Sequence, residues 1–491
     1  MAEVPRIDHH HGRYRLVVDG CPFLILGLQW GCDSCFSAAE MMPLFAEAAR
    51  MGANTAALPL YWREVEPEPG VYRFDLLDER LHGARRAGLR IVLLWFATWK
   101  NGSPFYTPDY LREDTARYPR ARARDGRTLI SYCPSSADTW ERDAAALTAV
   151  MEHLRAADTE HTVILLQLEN EPGLLGTDRC YCHTCTQRFV AERYAEHWGA
   201  QAAEAFSAAC IAEFIDRLAW RAKSILPLPV YVNVWLGGPP ESFPGQYPAG
   251  GAVPHMLDHF RDQLHHVDFV APDVYSTGYR RFLHVCAQYG RGQPLYIAEH
   301  SSSPGGRAER NVFYALGEHQ AIGFTVWAID EPFPRTPAAK PLVDPVDLRW
   351  AEHAYALRDS YLPIRNALQP VAEAQATGRL FTFVQEPGET GTSWRAGDCD
   401  LLVSYEHPEE AARGMIVRRD MHEFILLGTG FSVRFRRPAD GRPIPVRLAE
   451  AGRFSGAEWV ATHPVRREQP EELGLAVPLR RAGVVRVVLE R

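Results

Sequence analysis

Residues 163–171 read VILLQLENE, an almost unbroken apolar run that ends in Glu-Asn-Glu. Apolar runs without alternation are typical of parallel strands that are buried on both faces. Seven further segments share this pattern: 23–30, 53–62, 90–99, 229–236, 269–275, 294–300 and 323–330. Helical patterns lie between them, at 37–51, 76–87, 137–156, 186–225, 256–265 and 307–321. Eight strands with intervening helices over about 300 residues predict an α/β fold of the (β/α)8 barrel type.

The competing fold is an open, doubly wound sheet. That fold usually carries a glycine-rich phosphate loop after its first strand, and Gly27 and Gly31 do not form one. Before the first barrel strand, residues 14–26 read as two strands joined at Asp19-Gly20, a hairpin turn signal. We expect this N-terminal β-hairpin to cover the bottom of the barrel.

The pattern changes after residue 365. Short β-rich segments separated by Gly, Pro and Asp follow at 380–384, 400–405, 414–417, 423–427, 431–435 and 484–489. Such spacing predicts a small all-β, sandwich-like module. The predicted division is therefore a catalytic barrel over residues 1–365 and a β-rich C-terminal domain over residues 366–491.

Composition excludes several classes of protein. With 46% hydrophobic and 23% charged residues the chain is neither disordered nor collagen-like. A net charge of −8 argues against nucleic acid as a partner. No apolar run reaches the ~18 residues that span a membrane, and residues 1–8 do not resemble a secretory signal. We therefore expect a cytoplasmic protein whose cysteines are reduced or bound to metal.

Two acidic residues end strands on opposite sides of the predicted barrel. Glu171 follows the fourth strand and Glu299 ends the seventh, and the carboxyl ends of barrel strands meet at one mouth. Two facing carboxylates suit glycoside hydrolysis, in which one protonates the leaving oxygen and the other attacks the sugar or activates water. The alternative for either residue alone is a salt-bridged structural role.

Other polar and aromatic residues end neighbouring strands. Asn170 could bond a sugar 2-hydroxyl, Tyr275 could orient the nucleophile, and Trp327 could offer a platform to a sugar face. Sugar contact competes with loop capping or core packing for four further candidates: Trp99, Lys100, Asn101 and Tyr61. For two residues near the end of the fifth strand, Asn233 and Trp235, we favour the core.

The cysteines give a second signal. Cys180, Cys182 and Cys185 have a C-x-C-x-x-C spacing that can converge on one tetrahedral Zn²⁺, and Cys133 is a candidate fourth ligand. His183 is the alternative fourth ligand, and a set of unliganded thiols is the alternative to a metal site. Cys32 and Cys35 are also C-x-x-C, but the thioredoxin-like setting of a redox pair is missing, so we expect two thiols in the cleft wall.

Several segments together resemble the clan A glycoside hydrolases, and within them the β-galactosidases of families 35 and 42. The similar segments are QLENEPG at 167–173, YWREVEPEPGVYRFD at 61–75, LLWFATWKNG at 93–102 and the two cysteine segments. The resemblance implies that Glu171 is the acid/base and Glu299 the nucleophile of a retaining double displacement. It further implies a structural zinc held by Cys133, Cys180, Cys182 and Cys185, no organic cofactor, and a homo-oligomer.

The sequence thus predicts a retaining exo-β-glycosidase that removes terminal β-galactosyl units from small oligosaccharides or glycosides. The same mechanism on a β-glucoside, β-xyloside, β-glucuronide or α-L-arabinopyranoside is the first alternative, because epimers differ by one hydroxyl. A non-catalytic carbohydrate-binding barrel and a zinc hydrolase are the others. The predicted partner is a small carbohydrate, with no nucleic acid and no membrane.

Overall fold

The computed structural model describes residues 3–10, 12–238, 241–275, 278–328, 348–375, 377–408, 412–465 and 475–490. It begins with a three-stranded antiparallel sheet of β1 (Arg6–His10), β2 (Arg13–Val18) and β3 (Cys21–Phe23). The predicted hairpin is β2–β3, and its turn residues Asp19 and Gly20 have φ of 52° and 75°. The Tyr14 hydroxyl donates to the carbonyl of Gly292, and Asp19 pairs with Arg90. This sheet therefore lies at the amino ends of the barrel strands.

The strands between residues 25 and 326 are, in chain order, β4 (Ile25–Gln29), β5 (Thr55–Tyr61), β6 (Arg90–Lys100), β7 (Arg120–Arg122), β8 (Thr128–Tyr132), β9 (Val163–Asn170), β10 (Val230–Trp235), β11 (Phe269–Val274), β12 (Tyr296–His300) and β13 (Gly323–Val326). All but β7 and β8 close a parallel barrel in the order β4-β5-β6-β9-β10-β11-β12-β13. Each barrel strand lies within a predicted segment or within one residue of it, so the (β/α)8 fold is confirmed. Strands β7 and β8 form a hairpin outside the barrel, which the sequence did not predict.

The helices are α1 (Ala38–Arg50), α2 (Trp62–Val65), α3 (Asp75–Ala87), α4 (Asp109–Glu113), α5 (Ala137–Ala157), α6 (His183–Ala191), α7 (Tyr194–Trp198), α8 (Ala202–Ile225), α9 (Leu257–Arg261), α10 (Tyr279–Tyr289), α11 (Ala308–Phe313), α12 (Leu348–Asn366) and α13 (Leu368–Gln375). The single helix predicted over 186–225 is wrong. Left-handed backbone at Arg193 (φ 57°) and a positive φ at Gly199 (53°) divide it into α6, α7 and α8. No helix in the described ranges combines the length and apolarity needed to cross a membrane.

Burial on both faces explains why apolar and polar residues do not alternate along the barrel strands. Every residue of β5 and β9 is buried, since one face packs inside the barrel and the other against the surrounding helices. Leu16 of the N-terminal sheet and Tyr361 of α12 are fully buried in the same apolar core. The Tyr361 hydroxyl donates to the carbonyl of Gly27 in β4, which fixes α12 to the barrel wall.

The C-terminal region is all-β, as predicted. Its strands are β14 (Leu380–Val384), β15 (Gly391–Ala396), β16 (Cys399–Tyr405), β17 (Arg413–Arg418), β18 (Glu423–Thr429), β19 (Phe431–Arg436), β20 (Val446–Ser455), β21 (Glu458–Pro464), β22 (Ala476–Leu479) and β23 (Gly483–Leu489). They form a six-stranded sheet, β14-β17-β18-β23-β20-β21, and a four-stranded sheet, β15-β16-β19-β22. Buried residues of both sheets, among them Leu401, Phe424 and Val433, share one core. The predicted boundary at residue 365 falls near the end of α12, and α13 precedes the first strand.

Candidate active site

Three carboxylates meet at the carboxyl end of the barrel. Glu171 follows β9 directly, Asp273 lies in β11 and Glu299 lies in β12. One carboxylate oxygen from each lies within 4.8 Å of those of the other two. Their exposed fractions are 6%, 3% and 3%, respectively. Parallel strands with a common direction therefore bring together acids that are up to 128 residues apart in the chain.

Three hydrogen-bond donors surround the carboxylate of Glu299. The Tyr275 hydroxyl donates to Oε2 at 2.6 Å. The side-chain amides of Gln29 and Asn170 donate to Oε1 at 3.0 and 3.4 Å. Donors on a carboxylate stabilise its charged form and fix its orientation. Burial of the hydroxyl end, although Tyr275 as a whole is 45% exposed, and then the charge of Glu299 raise the pKa of Tyr275 well above its ordinary value, so this hydroxyl keeps its proton and remains a donor.

The backbone around Glu171 is strained. Glu169 and Glu171 have φ of 60° and 44°, in the left-handed region that residues other than glycine rarely adopt. The Glu171 N–H donates to Oδ1 of Asn233 at 2.9 Å, which holds this conformation from the neighbouring strand β10. Such strain costs about 1–3 kcal/mol per residue and is typical of functional sites. Adjacent side chains of a regular strand point to opposite faces. The left-handed backbone at Glu169 and Glu171 instead lets the side chains of Asn170 and Glu171 enter the same cleft.

The carboxyl of Glu171 has an altered affinity for protons. Burial and then the charge of Glu299 raise its pKa to about 7, while Lys100 opposes the rise. The Lys100 ammonium donates to Oδ1 of Asn170 at 2.7 Å and lies 5.1 Å from the Phe96 ring centre. A carboxyl with this pKa can both give and take a proton near neutral pH.

Two aromatic rings border the cleft beside Glu299. The Tyr275 ring is 45% exposed and meets the Trp327 ring nearly at a right angle, with 6.2 Å between their centres. The indole N–H of Trp327 is buried and has no acceptor among the described residues. Trp235, at the end of β10, is 37% exposed, so its predicted core position is wrong. A sugar ring could therefore find both a stacking face and a donor here.

Residues Lys100 and Asn101 end β6 at the same mouth. Asn101 has φ of 51°, and its N–H donates to the carbonyl of Asn170 at 3.1 Å. Its side-chain Oδ1 is buried and has no donor among the described residues. Lys100 and Asn101 therefore both contact Asn170. In this position each residue can support the loop and also bond a sugar hydroxyl.

Trp99 does not lie in the cleft, contrary to the sequence-based prediction. Its side chain is fully buried, and its ring packs edge-on against Phe214 of α8 with 4.9 Å between centres. Side chains alternate along a strand, so Trp99 points outward to the helices while Lys100 reaches the mouth. Only the backbone of Trp99 serves the site region, because its N–H donates to the buried Glu169 carboxyl at 2.7 Å.

Tyr61 is also a core residue and not a sugar platform. It is fully buried, and its hydroxyl donates to the Cys32 carbonyl at 2.6 Å. Its ring contacts that of Tyr106 at 4.3 Å between centres. Cys35, in the same 3-10 turn as Cys32, is fully buried, so the prediction that both thiols line the cleft is wrong for Cys35.

The four predicted metal ligands do converge. The sulfurs of Cys133, Cys180, Cys182 and Cys185 all lie within 4.8 Å of one another, and the cysteines form no disulfide. Cys133 lies 3.4 Å from Cys185, 3.7 Å from Cys182 and 3.8 Å from Cys180, sulfur to sulfur. The side chain of His183 is exposed and is not part of this group. The cluster links Cys133, in the connection between barrel strands β6 and β9, to the three cysteines that follow β9 around the start of α6.

Three site residues were not assigned a role from the sequence. Gln29 ends β4 and Asp273 lies in β11, both within segments interpreted only as strands, and Asn233 was assigned to the core. All three are polar residues near the carboxyl end of a buried barrel strand, and that position is the signal that could have identified them. Asn233 is indeed fully buried, but its amide joins Glu171 to Asp273.

Comparisons with known proteins agree with this geometry. A family model described as beta-galactosidase, that of glycoside hydrolase family 42, matches residues 42–206. Over these residues, about a third of its length, the chain is thus similar to the family 42 glycoside hydrolases. The match includes Glu171 and the four clustered cysteines and ends before Glu299. A second model, described as a domain of unknown function (DUF5597), matches residues 357–465, in the C-terminal region.

Curated relatives are similar over part of the chain. Beta-galactosidase BgaA of Thermus sp is 34% identical over 135 residues, which are 26% of this chain and 19% of that protein. Beta-galactosidase BgaH of Haloferax lucentense is 31% identical over 167 residues, 32% of this chain and 22% of that protein. The alignments therefore span about a fifth of the length of these relatives.

Solved structures share the fold at low identity. The β-galactosidase from the psychrophilic Marinomonas ef1 aligns with a TM-score of 0.51 and 14% identity, over 72% of this chain and 61% of that one. The β-galactosidase from Bacillus circulans sp. alkalophilus aligns with a TM-score of 0.51 and 10% identity, over 95% of this chain and 99% of that one. These likenesses support the barrel architecture alone.

Proposed function

We propose that this protein is a retaining exo-β-glycosidase that removes terminal β-galactosyl units from small oligosaccharides or glycosides. The observation that carries the proposal is the pairing of Glu171 and Glu299 across one mouth, with carboxylate oxygens within 4.8 Å. Retaining enzymes hold their two carboxyl groups about 5–5.5 Å apart, whereas inverting enzymes leave about 6.5–9.5 Å for a water molecule. The choice of galactose is supported by the names of the relatives.

In the first proposed step, Glu171 gives its proton to the leaving oxygen while Glu299 attacks the anomeric carbon. The glycosidic bond breaks and a glycosyl–Glu299 ester forms. In the second step, Glu171, now a carboxylate, takes a proton from water, and that water displaces Glu299 from the sugar. Tyr275, Gln29 and Asn170 hold the Glu299 carboxylate in position for both steps.

A panel of nitrophenyl glycosides tests the proposal and its substrate. We expect the nitrophenyl β-galactoside to give the highest kcat/KM among the β-galactoside, β-glucoside, β-xyloside, β-glucuronide and α-L-arabinopyranoside. The galactose released from the β-galactoside should first appear as the β-anomer in a proton NMR time course, because two inversions restore the configuration. Initial release of α-galactose from the β-galactoside would contradict the retaining mechanism, and a different preferred glycoside would correct the substrate alone.

The pH dependence of turnover follows from the pKa of Glu171. Since burial and the Glu299 charge raise that pKa to about 7, kcat/KM for a nitrophenyl glycoside should fall above pH 7 as the acid loses its proton. The decline should approach tenfold per pH unit. A dinitrophenyl glycoside is the control, because its leaving group needs no proton and its kcat/KM should stay level there. A parallel decline for both substrates would contradict the role of Glu171 as acid.

We further propose that the cysteine cluster holds a structural Zn²⁺. Thiolates at the usual ~2.3 Å from a tetrahedral zinc lie ~3.8 Å apart, and the sulfur–sulfur distances to Cys133 are 3.4–3.8 Å. Four sulfurs leave no open position for water, so the ion would supply stability to the loops and no chemistry. Cys180, Cys182 and Cys185 would hold the segment that follows Glu171, and Cys133 would fix it to the β7–β8 hairpin.

The remaining sequence-based expectations stay predictions. They are a cytoplasmic location, assembly into a homo-oligomer, a small carbohydrate as the partner with neither nucleic acid nor membrane, and the absence of an organic cofactor.

A further inference from the structure

Asp273 is the third carboxyl of the site, and the mechanism above does not use it. It lies in β11, directly beside Glu299 in the register with β12 and beside Trp235 in the register with β10. Its side chain is 3% exposed, and its oxygen lies within 4.8 Å of those of Glu171 and Glu299. A third buried acid between two others costs free energy unless it is neutral or paired.

The two oxygens of Asp273 have different surroundings. Oδ2 accepts a hydrogen bond of 2.7 Å from Nδ2 of Asn233. Oδ1 is buried and has no donor among the described residues. A carboxyl oxygen that lacks a donor in the interior is a natural place for a proton, because an O–H group is itself a donor. The Glu171 carboxyl has an oxygen within 4.8 Å of one of Asp273, so it is the acceptor nearest to such a proton across the site.

On this basis, and given the proposed function, we propose that Asp273 is a positioning residue for the acid/base. In its neutral form it donates a hydrogen bond to the Glu171 carboxylate that remains after the leaving oxygen has been protonated. Asn233 makes the arrangement specific, since its Oδ1 holds the Glu171 N–H while its Nδ2 holds Asp273. One amide thus sets the position of both partners.

The charges around Asp273 agree with a neutral acid. Three charged groups face it from other strands: Glu171, Glu299 and Lys100. Four tyrosines also lie near enough to interact electrostatically with Asp273: Tyr231, Tyr275, Tyr289 and Tyr296. Burial first, and then the charges of Glu299 and Glu171, raise the pKa of Asp273 well above its ordinary value, while Lys100 opposes the rise. The tyrosines stay neutral, because burial raises their pKa as well.

The test is the pH profile of kcat/KM for the wild type, Asp273→Asn and Asp273→Ala on a nitrophenyl glycoside. Loss of the donor should raise the pKa of Glu171, so the alkaline limb of Asp273→Ala should move up by about one pH unit. Its kcat/KM at the optimum should fall about tenfold or more, since a weaker acid transfers its proton less readily. Asp273→Asn keeps an N–H donor, and its alkaline limb should stay near that of the wild type.

The control is Asp216→Ala. Asp216 is another buried aspartate, which accepts from the N–H groups of His265, His266 and Val267 at the opposite end of β11. Its loss should lower the melting temperature without moving the alkaline limb. A lower kcat/KM for Asp273→Ala without any shift would reduce Asp273 to a structural residue, and a shift to lower pH would mean that it is ionised. Either result overturns the proposal.

An infrared difference spectrum separates this inference from the proposed function. The wild type minus Asp273→Asn should show the carbonyl band of a protonated carboxyl at pH 7, with no substrate present. Absence of that band overturns the role of Asp273 even if the wild type cleaves glycosides. Conversely, presence of the band in a protein that cleaves none of the panel would refute the glycosidase and leave the neutral acid established.

Discussion

The Glu299→Gly variant is expected to lose about 10⁴-fold or more in kcat/KM, because no side chain remains to form the glycosyl ester. Added azide should restore turnover, since the cavity left by the carboxylate admits a small anion to the same face of the sugar. The product should be the α-glycosyl azide, of inverted configuration, because only one displacement occurs. Thin-layer chromatography and proton NMR of the product measure both the recovery and the configuration.

The control for this variant is Glu204→Gln. Glu204 is a buried carboxylate of α8 that accepts from the Tyr247 hydroxyl at 2.9 Å, so its replacement disturbs a comparable polar contact. It should retain kcat/KM within about threefold, as do most changes away from the reacting groups. Full activity of Glu299→Gly, or a β-glycosyl azide as its product, would contradict the nucleophile assignment.

The barrel could be predicted from the sequence because its strands are buried on both faces. A segment such as 90–99 is apolar along its whole length, so both of its faces must be buried. A strand of a parallel barrel surrounded by helices meets that requirement. Helix α10 (Tyr279–Tyr289) was missed although its buried residues, Phe282, Val285, Cys286 and Tyr289, recur at the helical spacing i, i+3, i+4 and i+7. The break of 186–225 into α6, α7 and α8 depends on a left-handed Arg193, and such a conformation has no clear signal in a single sequence.

The part of the site that could be predicted consists of the polar residues at the ends of apolar strands. Glu171 and Glu299 stand out as acids after apolar runs, and the topology then brings them together. The direction of a side chain at a strand end was not predictable. Trp99 and Lys100 are neighbours, yet one packs on Phe214 and the other bonds Asn170, because the pleat turns them to opposite faces. Whether residue 99 or 100 faces the mouth depends on the tilt of β6 in the closed barrel.

Loss of the metal should have the second large effect, on stability rather than on chemistry. The wild type should contain about one zinc per chain, measured by plasma mass spectrometry, and Cys182→Ser should contain nearly none. Structural zinc contributes folding free energy directly, so the variant should melt about 5 °C or more below the wild type. Cys182 is the suitable position, because its side chain is partly exposed and serine there creates no cavity in the core.

Two controls isolate the metal. His183→Ala removes the exposed neighbour of Cys182 and should keep the zinc, since the structure completes the group with Cys133. Cys286→Ser places a hydroxyl at a buried cysteine of α10 outside the cluster, so it should lower stability and leave the zinc content unchanged. At a temperature where Cys182→Ser remains folded, it should still cleave the preferred glycoside, because the proposed chemistry belongs to Glu171 and Glu299. Loss of turnover in a folded, zinc-free protein would instead assign the ion a part in catalysis.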